Sequence, residues 1–170
     1  MNSTFIVNFV GTATAATIKQ LAAITHENEG KWLISKVNFI DNQVAAVIKI
    51  EVPQNNADIV KSAFQSHSEL LVQIIDCEAQ TNQEEQIYHV RLDANDRFGI
   101  VNEITHLLDG QGINILDMDC QRVFLATGGG VSSSLFSSTM AIRLPAEIRI
   151  EDVIKELEAL SEDTRVMLES

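Results

Sequence analysis

The chain is predicted to be an α+β protein of two tandem βαββαβ units, each a four-stranded antiparallel sheet with two helices on one face. Three observations predict this. Strand-type apolar runs alternate with stretches of helical period; the order strand, helix, strand, strand, helix, strand occurs twice; and the polar stretch Glu78 to Gln86 separates the two copies. Each copy has a length of about 80 residues, a size at which small domains fold by themselves. The units are placed at 1–78 and 87–170, with 79–86 as linker.

In the first copy, Phe5-Ile6-Val7-Asn8-Phe9-Val10 is rich in β-branched and aromatic residues and meets Gly11, so it reads as a buried strand closed by a turn. Ile18, Leu21, Ala22 and Ile24 then recur at helical spacing between Thr14 and Asn28, where Asn28-Glu29-Gly30 supplies a stop. Trp32 to Ile40 and Val44 to Val52 are strand-like, and the short polar Asp41-Asn42-Gln43 between them makes a hairpin. Asn55 or Asn56 can cap a helix with Ile59, Val60, Ala63 and Phe64 on one face, and Leu70 to Ile75 returns as a strand.

The second copy repeats this order. Ile87 to Leu92 is the strand, and Ile100, Val101, Ile104, Leu107 and Leu108 form the stripe of a helix over Gly99 to Gly110, stopped by Gly110 and Gly112. Ile113 to Leu125 and Leu135 to Leu144 are long strands joined by a loop over Ala126 to Ser133. Val153, Ile154, Leu157 and Leu160 mark the last helix, and Arg165 to Leu168 closes the sheet. Covering one face of such a sheet with two helices gives a ferredoxin-like sandwich.

Composition narrows the function. The 170 residues carry 12 basic and 24 acidic side chains, a formal charge of -12, which opposes direct contact with a phosphate backbone. No helix-turn-helix signal, basic stripe or aromatic ladder offsets that charge. No apolar run approaches the ~20 residues of a membrane span, no leader peptide is expected because the first residues lack a charged n-region followed by an apolar h-region, and Cys77 and Cys120 stand outside any CxxC motif. The expected address is the cytoplasm.

Catalytic and metal readings find little support. Asp117 and Asp119 share one face of a strand with Met118 turned to the core between them, and spacing is their only claim to a metal or an acid–base role. His26, His67, His89 and His106 stand singly; His89 and His106 could meet only through folding. Gly128-Gly129-Gly130 lacks the lysine and the following helix of a phosphate loop, and Ser132, Ser133, Ser137 and Ser138 have no identifiable base. Trp32 reads as a core or interdomain anchor. No enzyme activity, cofactor or metal is expected.

Asn95-Asp96-Arg97-Phe98-Gly99-Ile100-Val101, the helix after it and Gly112-Ile113-Asn114-Ile115 resemble the ACT-domain signature of Asp-Arg-Pro-Gly, a helix and Gly-x-Asn-Ile. Trp32-Leu33-Ile34-Ser35 with Val52-Pro53, and Leu135-Phe136 with Arg143-Leu144-Pro145, resemble a narrower group, the tandem-ACT proteins related to the glycine cleavage system transcriptional repressor. The resemblance implies allosteric control by an amino acid, glycine or a related one, bound at Asn95, Asp96, Arg97, Phe98, Gly99, Ile100 and Asn114. It also implies homo-oligomers and action through a DNA-binding partner protein. The physics suits a zwitterion: a helix N-terminus offers N–H groups to a carboxylate, Gly99 admits close approach, and Asn95 or Asp96 could receive the ammonium. Alternatively, Asp96 caps the helix and Gly99 makes the turn.

Two departures from the signature stand out. Phe98 replaces the proline that would fix φ in the first helical turn. In the first copy Ala13-Thr14-Ala15-Ala16 falls where Asp96-Arg97-Phe98-Gly99 falls in the second, so acid, base and glycine are missing. The functional expectation is an amino-acid-sensing transcriptional co-regulator, or alternatively a ligand-free ACT-fold assembly module.

Overall fold

The structure is a computed structural model that describes residues 1–78, 86–126 and 132–170. Its chain divides into two compact units, 1–81 and 82–170. The first contains β1 (Asn2–Thr12), α1 (Ala15–Glu27), β2 (Lys31–Ile40), β3 (Gln43–Pro53), α2 (Ala57–Gln65) and β4 (Leu70–Asp76). The second contains β5 (Gln86–Asn95), α3 (Ile100–Gly110), β6 (Asn114–Ala126), β7 (Ser132–Leu144), α4 (Ile150–Glu158) and β8 (Arg165–Glu169). The sheet orders are β2-β3-β1-β4 and β6-β7-β5-β8, with every neighbouring pair antiparallel. This is the α+β tandem ferredoxin-like architecture.

Each core lies between one sheet face and its two helices. In the first unit Phe5, Val7 and Phe9 of β1 and Ile48 and Ile50 of β3 meet Leu21 of α1 and Val60 and Phe64 of α2. In the second, Val90 and Leu92 of β5 and Phe136, Met140 and Ile142 of β7 meet Ile104 and Leu108 of α3 and Val153 and Leu157 of α4. Burying alternate strand residues and one helical stripe is what the two periodicities allow.

Several local expectations take a different form. β1 runs through Gly11 to Thr12. Asn56 sits at the start of α2 after a short 3-10 turn, but its side chain does not cap that helix; its amide donates to the Asn28 carbonyl at 3.0 Å, tying the end of α1 to the start of α2. Ala126, Ser132 and Ser133 belong to strands, paired as Ala126 with Ser132 and Leu125 with Ser133, so the expected loop is shorter at both ends. Residues 79–85 of the expected linker and 127–131 of that loop, with Gly128, Gly129 and Gly130, lie outside the described residues.

Trp32 packs against the first core and donates its indole N–H to Thr25 Oγ1 at 3.1 Å, while the Thr25 hydroxyl donates to the Leu21 carbonyl at 2.9 Å. Thr25 is buried, so Thr25→Val leaves the indole N–H without an acceptor at nearly constant shape. The expected loss is about 1–2 kcal/mol, read by urea unfolding followed through Trp32 fluorescence.

Candidate functional site

The signature residues of the second unit surround the end of β5 and the start of α3. Gly99 takes φ 83°, and among the described residues a Cβ built there would meet nothing within 4 Å, so none of them closes the outer side of the turn. The left-handed conformation explains the glycine without any ligand, since an L-residue there is strained by roughly 1–2 kcal/mol. Phe98, where the signature has proline, is fully exposed, and Ile100 is buried in the core.

Asp96 neither caps α3 nor stands free. Its backbone N–H donates to the Ser134 carbonyl at 2.9 Å, and its two carboxylate oxygens each accept from Arg122 Nε at 3.1 Å. The Ser134 hydroxyl adds a further bond at 3.2 Å. Arg122 lies on β6 with its guanidinium 5.8 Å from the centre of the Phe136 ring. Asp96 therefore pins the turn to β6 and β7. The sequence held one sign of this partner: Met118, Cys120 and Arg122 share a strand face, where a charged residue interrupts an apolar or weakly polar series.

Arg97 points elsewhere. Its Nη1 lies 2.5 Å from Glu103 Oε2 in the first turn of α3, an ion pair by distance without good hydrogen-bond geometry. Its Nε and Nη2 are shielded from solvent and have no hydrogen-bond partner among the described residues. Guanidinium donors shielded from solvent are costly to leave unpaired, which sets Arg97 apart from the other charged groups beside this turn.

Asp163, in the turn between α4 and β8, completes the surroundings. Its Oδ2 accepts the Asn95 backbone N–H at 2.5 Å. That bond first, then the Ser161 hydroxyl, and least the Arg97 charge, hold its carboxyl below the usual carboxylate range. Because the folded pKa lies below the unfolded value of about 3.9, the contribution is complete above that value and lost as pH falls through the lowered one. Asp163→Asn keeps an acceptor for Asn95 but removes the charge, so the acid limb of stability against pH should be shallower than in the wild type. Urea titrations from pH 6 down to about pH 3 check this. No local sequence signal joins Asp163 to Asn95, which is 68 positions away.

Asn114 is not brought to this cluster. It opens β6 opposite Arg143, which pairs with Ile87, whereas Asn95 pairs with Leu135 at the other end of β5. Eight residues along a strand place them about 26 Å apart. His89 and His106 do not meet either: His89 alternates with the buried Val90 and faces away from the core, while His106 lies on the exposed side of α3. Met118 packs against the core, and Asp117 and Asp119 lie on the opposite face.

In the first unit, Thr14 precedes α1 with ordinary extended backbone, and its N–H donates to Thr17 Oγ1 at 3.4 Å. Among the described residues, no group of three His, Cys, Asp or Glu side chains could hold a metal ion, and no helix is long and apolar enough to cross a membrane.

No protein-family model and no curated protein matches the chain. Two solved structures share its fold along almost its whole length. A protein of unknown function from Galdieria sulphuraria superposes with a TM-score of 0.81 at 14% identity, covering 99% of this chain and 98% of its own. A protein provisionally assigned as a glycine cleavage system transcriptional repressor superposes with a TM-score of 0.64 at 14% identity, covering 99% and 97%. At such identities the likeness is one of fold. Both halves of the chain thus share the tandem ferredoxin-like fold of these two structures, the fold class that the resemblance carried by Asp96-Arg97-Phe98-Gly99 implies.

Proposed function

We propose that this chain is a cytoplasmic regulatory protein, not an enzyme, that senses a small amino acid at the turn from Asn95 to Gly99 and acts on transcription through a partner protein. The observation that carries the reading is Arg97, with two enclosed donors that have no partner among the described residues, beside the turn at Gly99. A ligand carboxylate would satisfy those donors, and the carboxylates of Glu103 and Asp163 would favour an ammonium group nearby. Glycine or a related amino acid carries both charges with little bulk.

Two further facts support the regulatory reading. A fold neighbour is provisionally assigned as a glycine cleavage system transcriptional repressor. The charge of -12 suits action through a partner protein better than direct contact with DNA. In this reading the sensing unit is the second one, which the structure begins at Gln86 in β5 and not at the expected 87, the first unit, 1–78, has lost the ligand loop, and the protein is a homo-oligomer.

Titration calorimetry of the full chain against the twenty amino acids tests the proposal. A selective, saturable heat for one or a few small amino acids is the expected result, and no heat with any of them would refute it. A ligand-free assembly module is the second reading. It is favoured by Asp96, whose carboxylate is already engaged by Arg122 and Ser134, and by the distance of Asn114 from the turn.

A further inference from the structure

The two sheets differ in what their open faces expose. In the second unit the outward residues of β5 are His89, Arg91 and Asp93, alternating with buried Val90, Leu92 and Ala94, the pattern of a strand with one face in water. The first unit breaks that pattern. β1 reads Phe5-Ile6-Val7-Asn8-Phe9-Val10, β3 reads Val44-Ala45-Ala46-Val47-Ile48 and β4 reads Leu70-Leu71-Val72-Gln73-Ile74-Ile75. Near-continuous apolar runs belong to strands covered on both faces, yet only one face of this sheet is covered by its helices. Ile40 and Leu71 are 78% and 77% exposed, and Val10 and Val47 each 50%. One chain thus holds two sheets of the same fold, and the fold itself does not require the apolar one.

The face also has relief. Two adjoining concavities of about 540 and 530 Å³ share Val10, Asn38, Ala45 and Leu71. Ala45, the smallest of these side chains, forms the hollow, and Leu71 projects beside it.

We infer that this open face of β2-β3-β1-β4 is the contact surface for the same face of a second copy of the chain. Register supports a symmetric pair. Asn38, Ala45, Val10 and Leu71 form one row across the sheet, and Lys36, Val47, Asn8 and Gln73 form the next. A two-fold axis along the strands lays β4 of the second copy over β2 and β1 over β3. Leu71 of the second copy then meets Asn38 beside the Ala45 hollow, and Lys36 meets the neutral Gln73 instead of a like charge. The Gln73 amide carries an acceptor for the Lys36 ammonium of the second copy, and Val10 and Val47 of one copy lie over Ala45 and Asn8 of the other. Four strands ~4.8 Å apart and rows spanning ~24 Å give roughly 450 Å² per copy in projection. A pair then buries on the order of 1,000 Å², the lower bound for a specific interface. An anionic bilayer is a poorer occupant, because the whole molecule carries -12.

The test is sedimentation equilibrium of the full chain at micromolar concentration, with folding checked by far-UV circular dichroism. A wild-type dimer is expected. The double variant Val47→Glu, Leu71→Glu should weaken it by about 100-fold or more. Thr139→Glu, on the outward side of β7 in the second unit, should leave it unchanged. Should the double variant misfold, Leu71→Gln alone is expected to weaken the dimer by about tenfold. A monomeric wild type overturns the inference, as does a dimer of undiminished affinity in the folded Leu71 variants. None of these readouts involves an amino acid, so the interface and the sensing site can fail separately.

Discussion

Replacing Gly11 with alanine is expected to destabilise the first unit by on the order of 4 kcal/mol and to lower its melting temperature by about 20 °C. Gly11 lies in the middle of the sheet, paired with Val44 on β3 and Leu70 on β4. A Cβ built there would fall 2.1 Å from the carbonyl oxygen of Glu69 and 3.2 Å from the Leu70 Cα, both backbone atoms that cannot turn aside. The φ of 153° adds a conformation that L-residues rarely adopt.

Gly99→Ala is the informative comparison. Its φ of 83° carries strain but no collision, since no described residue lies within 4 Å of the added Cβ, and its expected cost is only about 1–2 kcal/mol. Urea unfolding reports the first variant through Trp32, which packs in the same unit, and circular dichroism reports the second. A cost at Gly11 no greater than at Gly99 would mean that the chain around Glu69 yields to the methyl group.

The second large effect is expected at Arg97. If its enclosed Nε and Nη2 hold a ligand carboxylate, Arg97→Ala should weaken amino-acid binding by about 2–3 kcal/mol, roughly 30- to 150-fold. Lysine at this position cannot reproduce the planar pair of donors, so Arg97→Lys should recover only a small part of the affinity. Glu103 would lose its partner in the alanine variant, which changes stability as well as binding. Calorimetry on the folded variant separates the two. Wild-type affinity in Arg97→Ala would remove the guanidinium from the site, whereas loss of binding with preserved folding would place the ligand against it.

The elements were legible because their causes are local. Alternation with period two, a helical stripe such as Ile100, Ile104 and Leu108, and the short polar connection after Ile40 each depend on residues a few positions apart, although Gln43, read as part of that connection, already belongs to β3. The repeat was legible for the same reason, as was the short motif Asp96-Arg97-Phe98-Gly99. The engagement of these side chains was less so. Asp96 meets Arg122 and Ser134, 26 and 38 positions away, and such partners are chosen by strand register. A residue free to cap a helix in the sequence is held across two strands in the fold.

The same division runs through the rest of the molecule. The sequence by itself determined the order of elements, the tandem repeat, the acidic charge and the unit that holds the motif Asp96-Arg97-Phe98-Gly99. Tertiary structure decided that Asn114 lies at the far end of the sheet from Asn95, that Asp163 bonds to the turn, and that two Arg97 donors find no partner among the described residues. It also decided which apolar residues of the first sheet stay exposed: Phe5 and Val10 have similar hydrophobic character, and only the side of the sheet that the helices cover distinguishes them. Local propensity acts over a turn or a strand, whereas burial and charge pairing depend on segments brought together across the whole domain.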